Sequence, residues 1–312
     1  MGERAGTGRR FHGAPRWSQL SEANKLNQAQ IEDVLKPTSL WRNPVYLPIT
    51  GSTNDVAKRL AARGAPEGTV VVADEQRAGR GRMERRWLAP PGACLLCSLL
   101  FRPQLPPTRA NQLTMLCSLA AADAVVKVAG LRVTLKWPND LIVKPQSQSW
   151  KKLAGVLTET GVMGKRLEFT VVGIGLNVNV PPEMLPTLAP DATSILAETG
   201  QEADRVALLA ALLAGVEARY ERLQAGESPH AEWSGRLATL GQRVEAATSK
   251  GALAGVAESV DENGALLLRA SDGRLHRLLA GDVTLSAKPI FRILTQPICV
   301  FFKKRGKKPG FF

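Results

Sequence analysis

Cysteine is scarce in this chain, which has four in 312 residues. Cys94 and Cys97 form a CxxC pair, but the apolar run around them, residues 93–101, is typical of a buried strand. Residues three apart on a strand point to opposite faces, so the pair is not expected to share a zinc ion or a disulfide. Cys117 and Cys299 supply no second pair. All four thiols are predicted to be buried or incidental, and no fixed protein metal site is expected.

The sequence also lacks a clear targeting or membrane segment. Arg9, Arg10 and Arg16 are followed by polar residues rather than by the apolar core of a secretory signal. The longest helix-like apolar stretch, Val206 to Val216, is about half of the roughly 20 residues that a membrane-spanning helix needs. The sequence therefore predicts a cytoplasmic protein with no membrane partner.

Positive charge is concentrated at the two ends of the chain. The formal net charge is +13, and the residues from Lys288 onward contribute seven basic and no acidic side chains. Residues 1–44 contribute seven basic and four acidic side chains, which leaves a net charge of +3 for the central body. A body of such low charge does not favour DNA as a partner.

The last 25 residues, 288–312, differ in composition from the rest of the chain. They hold five of its eight phenylalanines together with the basic run 303–308. This basic, phenylalanine-rich tail is predicted to be a nonessential extension, and the alternative is a patch for a membrane surface or an anionic partner.

Patterning divides the remainder into three segments. Residues 1–44 are polar and are predicted to be an irregular N-terminal extension, too short for a helical DNA-binding domain. Residues 45–236 alternate between helical and strand patterns, which predicts a mixed-sheet α+β domain. Short β segments separated by turn residues predict a small β module over residues 237–287.

Several elements of the larger domain have clear local signals. Residues 56–64 are predicted to form an amphipathic helix that the capping residues 52–55 open. Longer helices are predicted at Asn111–Ala129 and Ala203–Gln224. The polar segment 144–150 lies between two apolar runs and predicts a hairpin connection.

A glycine- and arginine-rich segment, residues 76–87, is the most informative part of the sequence. Gly79 and Gly81 alternate with Arg80 and Arg82. Glycines allow a backbone to approach a ligand closely, and guanidinium groups bind phosphates and other anions. By itself the segment fits a ligand-binding loop, a solvated turn or a nucleic-acid contact.

Other polar groups lie at the ends of predicted strands. Residues 136–140 place a cation, an indole, an amide and a carboxylate together, which fits either a ligand site or a self-bonded β-turn. Lys151 and Lys152 precede a strand, where a lysine either reaches a site or protects a strand edge. The glycines of residues 171–179 favour close approach, but the third glycine and the helix of a dinucleotide fingerprint are missing.

Five short motifs, in this order, resemble those of biotin protein ligases. They are Ser52-Thr53-Asn54, Gln76 with Gly79-Arg80-Gly81-Arg82, Lys136-Trp137-Pro138-Asn139-Asp140, Lys152-Leu153-Ala154-Gly155 and Gly173-Ile174-Gly175-Leu176-Asn177. The resemblance covers about residues 45–285. It implies a mixed-sheet catalytic domain related to class II aminoacyl-tRNA synthetases and lipoate ligases, followed by a small C-terminal SH3-like β-barrel.

The resemblance also implies roles for individual residues. For biotin it implies Ser52, Thr53, Asn54, Gln76, Arg80, Gly81, Arg82 and Lys152. For ATP and the adenylate it implies Gly79, Arg80, Arg82, Arg85, Trp87, Lys136, Asn139, Asp140 and Asn177. Lys152 is implied as the main catalytic cation, with Arg82 beside it. Lys151 is a rival, and Lys152 is preferred because it directly precedes the Leu-Ala-Gly segment.

The implied reaction uses ATP and Mg²⁺ to convert biotin to biotinyl-5′-AMP and then biotinylates a lysine of a biotin carboxyl carrier protein. A single-function ligase is expected, as a monomer or weak homodimer. The alternatives are activation of lipoate and a biotin-responsive repressor that binds DNA. Met83-Glu84 stands where family members often have another small or basic residue, so altered closure of the loop is expected.

Overall fold

The computed structural model describes residues 25–144, 149–248, 251–279 and 281–285. Its main element is a seven-stranded mixed sheet in the order β1-β2-β3-β7-β6-β5-β4. The strands are β1 (Arg42–Thr50), β2 (Thr69–Gln76), β3 (Cys94–Phe101), β4 (Thr134–Lys136), β5 (Asp140–Val143), β6 (Lys151–Met163) and β7 (Arg166–Asn177). Only β1 and β2 pair in parallel, among the strands described, and the other neighbours are antiparallel. The predicted mixed sheet is confirmed.

Helices cover both faces of this sheet. They are α1 (Gln28–Leu35), α2 (Thr53–Ala62), α3 (Asn111–Ala129), α4 (Leu185–Leu188), α5 (Ile195–Thr199), α6 (Arg205–Gln224) and α7 (His230–Gly235). The long helices α3 and α6 pack together over one face in the main apolar core, and α2 packs on the other against β2, β3 and β7. The prediction for α3 is confirmed, and α6 begins two residues later than predicted because Asp204 caps it.

Both cysteines of the CxxC pair lie on the buried strand β3. All its residues are buried because both faces of the sheet are covered, which favours a continuous apolar run. Cys97 lies in the main core, whereas Cys94 lies in a separate cluster on the opposite face. Both are free thiols, and burial raises the pKa of each to about 12. The prediction that the two residues point to opposite faces of a buried strand is confirmed, while Cys299 lies outside the described residues.

The N-terminal segment differs from the sequence-based expectation of an irregular extension. Its described part forms α1, which begins with a capping box between Asn27 and Gln30. Ile31 and Trp41 are each 1% exposed and belong to the main core. Its apolar residues Ile31, Val34 and Leu35 have the i, i+3, i+4 spacing of a helix, but the pattern covers little more than one turn of an otherwise polar sequence, and the helix was not predicted. The predicted boundary at residue 45 falls inside β1, so residues 25–44 pack as part of the body.

The C-terminal segment is a five-stranded antiparallel sheet in the order β11-β10-β9-β8-β12. Its strands are β8 (Arg243–Thr248), β9 (Gly251–Val260), β10 (Leu266–Ala270), β11 (Leu275–Leu278) and β12 (Asp282–Leu285). One of the turns expected between the short β segments precedes β10, where the Asp261 carboxylate accepts from the backbones of Asn263 and Ala265 and Gly264 has φ +79°. The strand β12 was not predicted. Closure of this sheet into a barrel stays a prediction.

Within the described ranges of the chain, one helix is long and apolar enough to cross a membrane by length and composition. It is the segment Pro107–Ala129, which includes α3, and 72% of its most apolar window is buried in the protein. The expectation that Val206–Val216 is the longest apolar helix is therefore wrong. Small and hydroxyl residues such as Ser118 made α3 look less apolar, although it is the central core helix.

Candidate active site

The floor of the candidate site is formed by glycines of β6 and β7. Gly155 pairs with Gly175, and Leu157 pairs with Gly173. A Cβ atom at Gly175 would lie 2.6 Å from Cε2 of Trp87, and one at Gly173 would lie 2.0 Å from Oδ1 of Asn54. Glycine is required at these two positions because other side chains already lie against the strand backbones.

The glycine- and arginine-rich segment folds as a hairpin over this floor. The Trp87 backbone N–H donates to the Gly79 carbonyl at 2.9 Å, and the Gly81 N–H donates to the Arg85 carbonyl at 2.7 Å. At the tip, Met83 and Glu84 have φ values of +52° and +60°. Two successive positive φ angles are typical of a type I′ turn, which favours Asn-Gly over a Met-Glu pair. The tip of this hairpin is therefore strained.

Two cavities lie beside the hairpin. The larger of the two has a volume of about 200 Å³ and lies between the hairpin, the β4–β5 turn and residues 188–192. Of the residues predicted for ATP, it is lined by Arg82, Arg85, Trp87, Lys136, Asn139, Asp140 and Asn177. The structure thus brings together seven of the nine, from three separate segments of the chain: 76–87, 136–140 and 173–177. Gly79 and Arg80 lie elsewhere in the hairpin, and Arg80 lines a second cavity.

Lys152 also lines the larger cavity. Its Nζ lies 2.6 Å from an oxygen of Asp140 and 5.7 Å from the centre of the Trp87 ring. Its backbone is fixed on both sides, because its N–H donates to the Asp191 carbonyl and its carbonyl accepts from Thr193. Successive residues of a strand face opposite ways, so Lys151 points away from the side chain of Lys152.

A smaller cavity of about 40 Å³ lies on the other side of Trp87. Of the residues predicted for biotin, it is lined by Ser52, Thr53, Asn54, Gln76, Arg80 and Gly81. Arg82 and Lys152, also predicted for biotin, line the larger cavity instead. The two cavities share Gly81 and Trp87. Two ligands could therefore meet at this boundary.

The walls of the smaller cavity form a buried hydrogen-bond network. The Gln76 side-chain oxygen accepts from the Thr53 backbone N–H at 2.8 Å and from its hydroxyl at 3.1 Å. Ser98 Oγ lies 2.6 Å from Asn54 Oδ1 and 2.8 Å from Thr53 Oγ1. The network explains one wrong expectation. The helix α2 begins at Thr53 rather than Val56, and Ser52 makes no side-chain cap, because Gln76 accepts from the first turn.

Trp87 carries a polar group without a partner. Its indole Nε1 is buried and makes no hydrogen bond to any part of the chain that the structure describes. Buried donors are rarely left unpaired, and an exception at the junction of two cavities favours a ligand that supplies the acceptor. This observation is consistent with the ATP-side role predicted for Trp87.

Two known protein families match the chain, one in the seven-stranded sheet region and one in the C-terminal sheet. Residues 46–177 match the biotin/lipoate A/B protein ligase family, and residues 239–286 match the biotin protein ligase C-terminal domain. The chain is 34% identical over 269 residues to the bifunctional ligase/repressor BirA of Bacillus subtilis, covering 85% of this chain and 81% of the relative. The chain belongs to the biotin protein ligase family.

Other relatives agree with this assignment. The biotin--[acetyl-CoA-carboxylase] ligase of Mycobacterium tuberculosis is 35% identical over 266 residues, covering 83% of this chain and 95% of the relative. The biotin protein ligase of Aquifex aeolicus, solved in complex with biotin and ATP, has a TM-score of 0.64 and 27% identity. That similarity covers 79% of this chain and 99% of the Aquifex chain. The resemblance noted from the five motifs is confirmed.

Some residues of the site were not found from the sequence. Ser98 lies in the middle of an apolar strand, and its hydroxyl was the only signal available. Glu159 lies on β6, where its carboxylate accepts from Lys58, Asn54 and Arg80. Burial opposes its ionisation, but these three hydrogen bonds outweigh that effect and lower the pKa of Glu159. A charged residue inside a strand next to the Lys-Leu-Ala-Gly motif was the signal that could have identified it.

Proposed function

We propose that this biotin protein ligase activates biotin with ATP and transfers it to a lysine of a biotin carboxyl carrier protein or domain. The observation that carries the proposal is the pair of cavities that meet at Gly81 and Trp87, with Lys152 beside the junction. The smaller cavity, with neutral hydrogen-bonding groups on a glycine floor, suits the ring and tail of biotin. The larger, basic cavity suits ATP.

The first step joins two anions. A carboxylate oxygen of biotin attacks the α-phosphorus of ATP, and the bond to the pyrophosphate leaving group breaks. Lys152 and Arg82 lie where negative charge develops on the phosphoryl oxygens, so they stabilise the transition state. Lys152 must exchange its contact with Asp140 for the substrate anions.

The remaining predicted residues have roles that follow from their cavity. Arg85, Trp87, Asn139 and Asn177 line the nucleotide side with Lys136 and Asp140, and we assign them to ATP and the adenylate. Ser52, Thr53, Gln76, Arg80 and Gly81 line the biotin side.

The magnesium ion that accompanies ATP fits the larger cavity. No group of three or more side chains suited to hold a metal occurs in the described part of the chain, but Asp140 and Asp191 line this cavity. Mg²⁺ is commonly bound by one or two carboxylates together with substrate phosphates. When bound, it would supply positive charge at the phosphate oxygens.

The second step releases AMP. The amine of the carrier lysine attacks the acyl carbon of the mixed anhydride, and the bond to the AMP oxygen breaks. The anhydride is reactive toward water, so the hairpin of residues 79–87 protects it by covering the junction of the cavities. Arg80, Gly81 and Trp87 of the hairpin line the smaller cavity, so movement of the hairpin would widen the entry for biotin.

We further propose that the catalytic domain ends near residue 236 and includes the described residues 25–44, whose helix α1 packs in its core, so that it begins before the predicted boundary at residue 45. Residues 237–287 are proposed to form the SH3-like domain. We also propose that the enzyme is cytoplasmic, acts only as a ligase, and functions as a monomer or weak homodimer without a DNA or membrane partner. Absence of salt-dependent DNA binding would support the single-function assignment, because electrostatic DNA binding weakens steeply with salt.

The experiment that tests the proposed function is biotin-dependent exchange of labelled pyrophosphate into ATP. It isolates the activation step and needs no carrier, and lipoate serves as a parallel substrate. Exchange with biotin is expected. Exchange with lipoate alone would show that the enzyme activates lipoate instead of biotin. Exchange with neither would contradict the proposed activation step.

A further inference from the structure

Three donors, two from α2 and one from the hairpin, converge on the carboxylate of Glu159. Lys58 of α2 donates at 2.7 Å, Asn54 at the start of α2 donates at 2.9 Å, and Arg80 of the hairpin completes the set. The Glu159 side chain is 22% exposed, so these contacts are partly shielded from water. No proposed catalytic step uses Glu159, although it lies seven positions after Lys152 on the same strand.

A second carboxylate closes the arrangement into a ring. Asp55 lies 2.9 Å from Arg80 and 3.2 Å from Lys58, so both cations contact both anions. We call Lys58, Asp55, Arg80 and Glu159 the charge ring. Single exposed ion pairs contribute little to stability, but a network in which two carboxylates hold one guanidinium fixes its position.

Arg80 ties the hairpin to the floor of the site. It stands between Gly79, whose carbonyl accepts from Trp87, and Gly81, which lines both cavities. The base of the hairpin is anchored by backbone hydrogen bonds, because the N–H groups of residues 77 and 78 donate to the carbonyls of residues 50 and 51. The Arg80 side chain adds a contact through which Glu159 holds the hairpin against β6, which also forms the floor.

Glu159 also fixes one wall of the smaller cavity. The side-chain amide of Asn54 donates hydrogen bonds to Glu159 and to the Leu157 carbonyl, while its oxygen accepts from Ser98. Asn54 is thereby held in one orientation, with its hydrogen-bonding groups engaged within the protein. The role implied for Asn54 in contacting biotin is better described as shaping the wall.

We propose that Glu159 is a positioning residue for the biotin half of the site, which holds Arg80 and Asn54 so that the hairpin stays closed over biotin and its adenylate. The inference rests on the proposed function. It assigns Glu159 to retention of the intermediate rather than to phosphoryl chemistry. Loss of its charge therefore affects the biotin side and leaves the ATP side intact.

The test uses Glu159→Gln in the full chain. We expect the KM for biotin in pyrophosphate exchange to rise about tenfold, since a charge-assisted contact is replaced by a neutral one. The release rate of preformed biotinyl-adenylate is expected to rise by a similar factor. The KM for ATP and kcat at saturating biotin should stay within about twofold. A merely structural role would not separate the two substrates in this way.

Glu258→Gln is the matched control, because Glu258 pairs with Arg269 across two strands of the C-terminal sheet, away from both cavities. It should change neither KM nor the adenylate release rate. If Glu159→Gln fails to fold, Asp55→Asn tests the same contact from the other carboxylate of the charge ring. The KM for biotin and the adenylate release rate should then rise by a smaller factor, because Glu159 still holds Arg80.

The outcomes separate this inference from the proposed function. Unchanged biotin KM and adenylate release in a folded Glu159→Gln variant, or equal losses for biotin and ATP, would overturn the positioning role. Absence of biotin-dependent exchange in the unsubstituted chain would instead overturn the proposed function.

Discussion

The two cavities that meet at Trp87 satisfy their polar groups in different ways. Around the smaller one, the neutral side chains of Thr53, Asn54, Gln76 and Ser98 bond to one another in a buried or partly buried network. In the larger one, charged side chains form ion pairs that solvent can reach, as Lys152 does with Asp140 at 2.6 Å while 29% of its side chain is exposed. A fixed neutral network suits recognition of one ligand shape, whereas exchangeable charges suit a reaction in which anions form and leave.

The first prediction concerns the charged cavity and has the largest expected effect. Lys152→Ala should lower the rate of pyrophosphate exchange on the order of 100- to 1000-fold, because a preorganised donor to the developing charge is lost. Lys151→Ala is the matched control, since the neighbouring side chain points the other way. Comparable losses in the two variants would break the assignment of Lys152.

The boundary between the cavities is tested by Gly175→Ala. The added methyl group would lie 2.6 Å from Trp87 Cε2, so the indole must leave the glycine floor. Misplacement of about 1 Å at a reacting centre can cost on the order of 100-fold in rate. We expect such a loss, together with a changed near-ultraviolet circular dichroism signal from tryptophan.

Gly235→Ala provides the control for that substitution, because a Cβ there meets nothing within 4 Å. It should leave both the exchange rate and the tryptophan signal unchanged. An unaltered Gly175→Ala enzyme would mean that Trp87 does not form the boundary during catalysis.

The neutral network is tested by Ser98→Ala. This change removes a hydroxyl that is 0% exposed and leaves Asn54 and Thr53 without their buried partner. The lost contact should raise the KM for biotin about tenfold and lower the free energy of unfolding by about 1–3 kcal/mol. Kinetics with each substrate varied in turn provide the measurement. A larger effect on the KM for ATP would reverse the roles given to the two cavities.

The smallest predicted effect concerns the strained tip of the hairpin. Glu84→Gly should stabilise the tip by about 1 kcal/mol, because a left-handed conformation costs L-residues about that much. Thermal unfolding should shift upward by about 2 °C. Glu183→Gly is the control: it lies in the short helical turn Pro182–Met184, where added flexibility should destabilise the chain. A lower melting temperature for Glu84→Gly than for the unsubstituted chain would contradict the prediction that the tip is strained.

Much of the fold could be predicted from local signals. The bounds of α3 follow from apolar periodicity, and the antiparallel pairing of β5 with β6 follows from the polar segment 144–150 between two apolar runs. Seven of the residues that the motifs predicted to bind ATP line one cavity, although they come from distant parts of the chain.

The remainder depends on contacts that the sequence does not encode locally. Asn54 and Glu159 are 105 positions apart, and only the sheet and α2 bring them together. The helix α1 contributes Ile31 to a core that is otherwise built from distant elements, so its short pattern carried little information. The start of α2 was misplaced because Gln76, rather than a local cap, accepts from its first turn.

The most direct test of the division into two cavities is a crystal structure of the chain with biotin and a nonhydrolysable ATP analogue. We expect the fused ring of biotin on the glycine floor beside Ser52 and Gln76, and the nucleotide beside Lys136 and Asn139 across Trp87. The carboxylate of biotin should lie next to Lys152. Biotin bound in the larger cavity, or a nucleotide outside it, would contradict the division on which the mechanism rests.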